Sequence, residues 1–297
     1  MSSASETATS NCQRDLVARV GTEIRDIGIP PRPKVLDRIH AEMARDEPDF
    51  RALADVISAD VSLSASMIKV SNSPYFGLGR PVRTVADALM VLGLKMTVGT
   101  IAGIALKNVF PHVPDLEGFW DATARRARVC GWLVQQLGGQ VRFRSDYAYT
   151  FGLFRDAGIP ALMIPFAEYR EIVARAEAED TLAFTAVEDA ALSINHAIVG
   201  AEFAEDWRLH EEFHLAIRHH HDAEMLAAPA SESLSGISRQ LIAVSHLADR
   251  LVAATTGSAR DQEWTKLGAT CLDILQLTEA EVDGLSRNAH HIVANGV

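Results

Sequence analysis

Tyr147-Ala148-Tyr149-Thr150-Phe151-Gly152-Leu153-Phe154-Arg155-Asp156-Ala157-Gly158-Ile159-Pro160 is the stretch on which the reading of this chain turns. Tyr147, Phe151 and Phe154 recur at the four-then-three spacing of a helix stripe facing a core. Ser145 or Asp146 is expected to cap its start, because a short polar side chain can accept from the first free N–H groups. Gly158 suits the left-handed position after a helix, and Pro160 the first turn of the next. The chain is therefore expected to be arranged around one buried helix that ends at Arg155-Asp156.

Working outward, the rest of the chain repeats the same short-helix grammar. Residues 1–11 are polar, lack an apolar signal core and are expected to be a disordered tail. Gln13 to Ile27 carries an amphipathic pattern, and Gly28 with Pro30-Pro31-Arg32-Pro33 ends it. Pro33 opens a helix through Met43, Asp49 caps Phe50 to Ser58, and Asp60 caps a helix that stops before Pro74. Thr84 caps a helix ended by Gly93, after which Leu94 to Asn108 forms another. Pro111 and Pro114 mark a boundary, Glu117 leads into a helix reaching Leu137, and Gly138 closes it. Beyond the central stretch, Ala161–Ala178, Phe184–Ala190, Ser193–Trp207, Glu211–His220, Ser235–Thr255 and Glu279–Val293 read as helices.

Composition agrees with this. The 297 residues are 48% hydrophobic and 23% charged, enough for a sizeable core. Helix formers dominate and strand-like alternation is scarce, so the expected fold class is all-α and multi-helical. A net charge of −11 argues against general nucleic-acid binding or adhesion to an anionic membrane. The three cysteines, Cys12, Cys130 and Cys271, form no CxxC pair, which points to a reducing, cytoplasmic setting rather than a disulfide framework. The apolar run Val85 to Leu106 is interrupted by Asp87, Gly93 and Lys95, so buried helices are expected there and no membrane insertion. Glycine pairs do not follow a strand or precede Gly-Lys-Ser/Thr, and no serine nucleophile elbow is present.

Gly152-Leu153-Phe154-Arg155-Asp156-Ala157-Gly158 resembles the Gly-Leu-Leu-His-Asp-Ile-Gly segment of the HD superfamily of metal-dependent phosphohydrolases. Ile57-Ser58-Ala59-Asp60 with Leu63, Asn72-Ser73, and Ala88-Leu89-Met90-Val91-Leu92-Gly93-Leu94 resemble the first half of HDOD domains, a degenerate branch associated with bacterial signalling. The usual Asp-Pro appears here as Asp60-Val61. The resemblance spans about residues 28 to 255. It implies an N-terminal helical lobe over residues 12–112, a degenerate HD-like helical bundle over 115–255, and a C-terminal helical extension over 256–297.

For the chemistry, the resemblance implies both losses and survivals. Arg155 stands where the metal-binding His belongs, Ala122 where a first His follows Phe-Trp, and Ile159 where the HD-GYP branch has Lys. Asp156, His196, His220, His221 and Asp249 survive, and they are the candidate ligands for a residual divalent transition metal. Each has a plainer reading beside that one. His219 to His221 can satisfy the carbonyls at a helix end, His196 can be a hydrogen-bonded core histidine, Asp249 with Arg250 a solvated helix pair, and Arg155-Asp156 a buried ion pair in place of metal. Arg125 and Arg128 share a helix face and, with Arg155, are candidate anion-binding residues, although a solvated face accounts for them as well.

The expected function is a non-catalytic signal-transduction module that binds a protein partner or a nucleotide-type small ligand, with no cofactor. The alternative is a divergent metal-dependent phosphohydrolase using the residual cluster. No receiver, kinase or cyclase segment is legible in these residues, so input or output is expected through another protein.

Overall fold

A computed structural model describes residues 31–76, 80–110, 113–114, 116–231, 234–257 and 262–294. The expected tail, the helix from Gln13 to Ile27, Cys12 and Pro111 lie outside these residues. Everything regular among the described residues is helical, and the all-α fold is confirmed.

Four helices come first: α1 (Lys34–Met43), α2 (Phe50–Ser58), α3 (Val61–Ser71) and α4 (Val85–Asn108). Their starts follow from capping chemistry. Asp49 accepts from the backbone N–H groups of Arg51 and Ala52, Asp60 from that of Leu63, and Thr84 from that of Asp87. Helix α4 is continuous in assignment but broken in backbone, because Gly93 takes φ +67°. The change of direction falls where the sequence placed it. After the break, Met96 to Ala102 are buried without interruption, so this half of α4 is enclosed on all faces. By length and apolarity alone α4 could span a membrane, but half of its apolar window is already buried in protein.

The central helix α6 (Ser145–Phe154) is held between α4 and α5 (Glu117–Leu137). Contact between α4 and α6 is close because Gly99 has no side chain: a Cβ there would sit 1.9 Å from Thr150 Oγ1. Phe151 and Phe154 are fully buried, as their spacing demands. Two local expectations need correction. The cap residue of α6 is Arg144, with no side-chain cap, while Asp146 lies inside the first turn and accepts from the N–H of Tyr147. Gly158 is not left-handed; it begins the short α7 (Gly158–Leu162). Its glycine is required by close approach instead, since a Cβ would lie 2.1 Å from the carbonyl oxygen of His196.

The remaining helices are α8 (Tyr169–Ala178), α9 (Phe184–Leu192), α10 (His196–Asp206), α11 (Glu211–His219), α12 (Ala223–Ala227), α13 (Gly236–Thr256), α14 (Gln262–Leu275) and α15 (Glu279–Ala294). Helix α10 starts three residues later than the apolar pattern suggested. Ser193 is left-handed, and Asn195 makes the cap by accepting from the N–H of Ile198. Helices α14 and α15 pack on α13, and α13 also packs on α5 and α11, so the C-terminal segment is part of the same body. One continuous core of buried side chains runs from Leu36 to Val293.

Candidate functional site

Five elements converge behind the C-terminal end of α6. Arg155 follows its last residue, Asp156 comes next, Arg126 projects from α5, His196 opens α10, His220 and His221 follow α11, and Ser245, His246 and Asp249 come from α13. The surviving candidates Asp156, His196, His220, His221 and Asp249 are thus gathered into one region. They do not act as one set, because the arginines divide them.

One half is a closed ion-pair lattice. Arg155 Nε lies 3.0 Å from Asp156 Oδ1, and its other nitrogens reach Asp156 Oδ2 at 3.2 Å, Asp249 Oδ2 at 2.7 Å and Ser245 Oγ at 3.2 Å. Arg126 mirrors it, at 2.7 Å from both Asp156 Oδ2 and Asp249 Oδ1. Two guanidinium groups therefore face two carboxylates, with Arg155 only 4% exposed. Burial alone would raise the pKa of Asp156, but Arg126 and Arg155 overcome it and hold the carboxyl well below its ordinary range. Asp249 is lowered by the same two arginines against the same burial. These two aspartates are ionised and their oxygens are occupied.

The other half is made of imidazoles. The ligand atoms of His196, His220 and His221 lie within 4.8 Å of one another, and all three residues are buried. Each ring is oriented from behind through Nδ1: His196 to Glu188 Oε2 at 2.7 Å, His220 to the Ile217 carbonyl at 2.6 Å, and His221 to Glu263 Oε2. A carbonyl only accepts, so Nδ1 of His220 carries hydrogen and its Nε2 keeps a lone pair when neutral. His196 Nε2 lies 3.2 Å away, and because its Nδ1 hydrogen goes to Glu188 it supplies the matching donor only as imidazolium. Burial opposes charge on His196, but Glu188 prevails and raises its pKa. Burial, followed by neighbouring imidazoles, drives His220 and His221 well below their ordinary value, and burial with Arg155 pushes His246 down to about 4.

Asp156 belongs to both halves, since its Oδ1 is also 3.3 Å from His220 Nε2. As a donor set, three imidazoles with Nδ1 anchored to carboxylate or carbonyl suit a transition metal once His196 is neutral. The carboxylates that would complete an HD-type set do not fit as well, because both are paired with guanidinium. His220 also serves the helix end, as the plainer reading had it, through its bond to Ile217.

Arg155 is spent inside the lattice and presents nothing to a phosphate. Arg125 and Arg128 lie elsewhere on α5, and Arg128 is 5% exposed rather than on a solvated face. Its Nε and that of Arg125 have no hydrogen-bond partner among the described residues. Sequence reading missed Arg126, Glu188, Glu263, Ser245 and His246. Arg126 stood in plain view beside Arg125, one helical step of about 100° away and therefore on another face. Glu188 had little to distinguish it in sequence from its neighbour Asp189, yet it receives Tyr169 Oη and His196 Nδ1 while fully buried.

The comparisons with known proteins agree with this fold. The HDOD domain family matches residues 29–223, a shorter span than the expected 28 to 255, leaving Asp249 and α13 outside. A solved structure of a candidate phosphohydrolase from Shewanella amazonensis SB2B superposes with TM-score 0.67 at 21% identity, covering 92% of this chain and 95% of that one. An HDOD domain protein of unknown function from Geobacter sulfurreducens gives TM-score 0.58 at 22% identity, covering 86% and 93%. A candidate signal transduction protein from Marinobacter aquaeolei VT8 gives 0.64 at 22%, covering 90% of this chain and 59% of that one. An uncharacterized protein of Treponema pallidum (strain Nichols) is 23% identical over 208 residues, which are 70% of this chain but only 40% of that protein's length. At such identities the structural likeness speaks for the fold. With the family match covering well over half of the sequence, and with Arg155-Asp156 at the end of the central helix, this chain belongs to the HDOD domain family.

Proposed function

We propose that this chain is a non-catalytic signal-transduction module whose HD-type centre is held together by ion pairs, and which works by recognising a protein partner or a small ligand. The observation that carries this is the position of Arg155, which spans Asp156 and Asp249 from the place of the family's metal-binding histidine. A permanent guanidinium there neutralises the carboxylates that a hydrolytic metal centre would use. The name of the Marinobacter neighbour points the same way.

A second reading, a divergent metal-dependent phosphohydrolase, is favoured by one observation: the three anchored imidazoles. His196, His220 and His221 would hold a divalent transition ion, which when bound would supply a Lewis acid and an acidified water. In this chain's own residues, Glu188 and Glu263 orient two of the rings, while Arg126 and Arg155 keep Asp156 and Asp249 from acting as bases. The Shewanella neighbour's name belongs to this reading. Incubation of the 297-residue chain with cyclic dinucleotides and simple phosphoesters in the presence of added manganese separates the two. No turnover above the buffer blank is expected. Steady hydrolysis that Asp156→Ala or His196→Ala abolishes would overturn the proposal.

A further inference from the structure

A second site lies at the opposite end of α6. A cavity of about 530 Å³ opens between α1, α4, the start of α6 and the link from α10 to α11, sharing no lining residue with the ion-pair lattice. That is the size of an ordinary small-molecule pocket. Its floor is aromatic: Tyr147 packs against Phe213 at 4.4 Å between ring centres and against Phe143 at 6.2 Å. Its rim is cationic. Lys95, Arg142 and Arg208 line it, and none of the three has a carboxylate within ion-pair distance among the described residues. The one acidic residue in the lining, Asp146, is already matched by Arg144 at 3.1 Å. A chain with net charge −11 thus gathers unmatched positive charge over an aromatic floor.

Arg208 makes the point more sharply. Helix α10 ends in a left-handed turn, with the N–H of Leu209 donating to the Ala204 carbonyl and that of Arg208 to Glu205, both at 2.8 Å. The residue at the left-handed position of such a turn is normally glycine. Here it is Arg208, at φ +53°, and its side chain lines the cavity. Backbone strain at a long cationic residue is intelligible when the side chain has a task there. Burial comes first in lowering the pKa of His40 in the same lining, followed by Arg32, which is itself paired with Asp37, and then by Arg208.

We propose that this cavity binds the phosphomonoester of a flat-ring compound, a nucleoside monophosphate being the simplest biological form, with the ring on the aromatic floor and the phosphate among Lys95, Arg142 and Arg208. Several cations exceed the needs of one carboxylate and suit the oxygens of a phosphate dianion. The site is independent of whether the HD-type centre turns over. Helix α6 joins the two, from Tyr147 to Arg155, and α10 does so again, from Arg208 back to His196; the spans are roughly 12 and 18 Å. Occupancy of the cavity would therefore bear on both helices that hold the lattice.

The test is calorimetry on the full chain with adenosine monophosphate, phenyl phosphate, adenosine and inorganic phosphate, on wild type, Arg208→Gly, Arg142→Ala and His196→Ala. Adenosine monophosphate and phenyl phosphate are expected to bind, with adenosine and inorganic phosphate each at least about tenfold weaker, the scale of one lost charge-assisted contact. Arg208→Gly is expected to weaken binding about tenfold while leaving the melting temperature unchanged or raised, because glycine suits the left-handed turn. A loss of binding in that variant is therefore not a loss of fold. No heat from either ring phosphate at millimolar concentration would overturn the proposal. So would binding that survives both arginine substitutions, or that disappears in His196→Ala while surviving Arg208→Gly, which would place the ligand in the HD-type centre.

Discussion

At the scale of single residues, the chain has replaced a ligand with a counter-ion, and Arg155 carries that exchange. Its removal leaves the buried Asp156 and the partly exposed Asp249 with one guanidinium between them. Arg155→Ala is expected to lower unfolding free energy by about 3 kcal/mol or more, read from urea denaturation monitored by circular dichroism. Arg155→Lys should recover only part of this, since an ammonium cannot make the forked contact. An unchanged midpoint in Arg155→Ala would show that the lattice contributes little. Individual groups of the centre give opposite dependences on pH, and the lowered pKa values of His220, His221 and His246 add to the loss on the acid side. Asp156 and Asp249 have depressed pKa values, so their contribution is present above the unfolded value near about 4 and is lost as pH falls below it. His196 has a raised pKa, so its contribution is full below about 6.5 and is lost as pH rises through the folded value. Stability curves from acid to mildly alkaline pH are expected to show both limbs, the acid limb shallower in Asp249→Asn and the alkaline limb absent in Glu188→Gln. Identical curves for all three proteins would contradict the assignment. The departure at Arg155 was legible in sequence because it breaks a motif, whereas Arg126 was not, because only the helix angle separates it from Arg125.

At the scale of elements, caps and glycines set where helices begin and how closely they approach. Asp49, Asp60 and Thr84 could be read as caps because each short polar residue precedes an apolar-periodic run, and each accepts from a first-turn N–H. Gly158 could not be read correctly, since a glycine after a helix looks like a terminator and the His196 carbonyl that excludes a side chain is distant in sequence. The start of α10 was misplaced for a related reason: the apolar pattern runs on through Ser193, and only the left-handed backbone there interrupts it. Gly158→Ala is expected to destabilise the protein by about 1–3 kcal/mol through overpacking. Gly236→Ala, where nothing lies within 4 Å of the added Cβ, serves as the paired control and is expected to be neutral or stabilising. Thermal melts of the two variants decide this, and equal shifts would contradict it.

At the scale of the whole molecule, α13 is the strut that binds the family-matched helices to the C-terminal pair. It supplies Ser245 and Asp249 to the lattice, while α14 supplies Glu263, the partner of His221 Nδ1. A chain ending at Gly257 would uncover the side of α13 on which α14 and α15 pack and would remove the buried Leu267, Cys271, Leu275 and Val282. Such a truncation is expected to melt at lower temperature and to bind a hydrophobic dye, and an unaltered melt would mean that the C-terminal helices are accessory. The all-α body was legible because helical periodicity persists over the length of the chain. The division of the site into an arginine half and a histidine half was not, since it depends on which side chains five separate elements bring within 4 Å. The measurement that bears most directly on this division is metal stoichiometry by plasma mass spectrometry, on tag-free protein purified without chelator. Ion pairing in place of ligation leads to well under one transition metal per chain in a protein with an intact helical spectrum. One or two metals per chain, lost in both His196→Ala and Asp249→Ala, would contradict it and restore the hydrolytic reading.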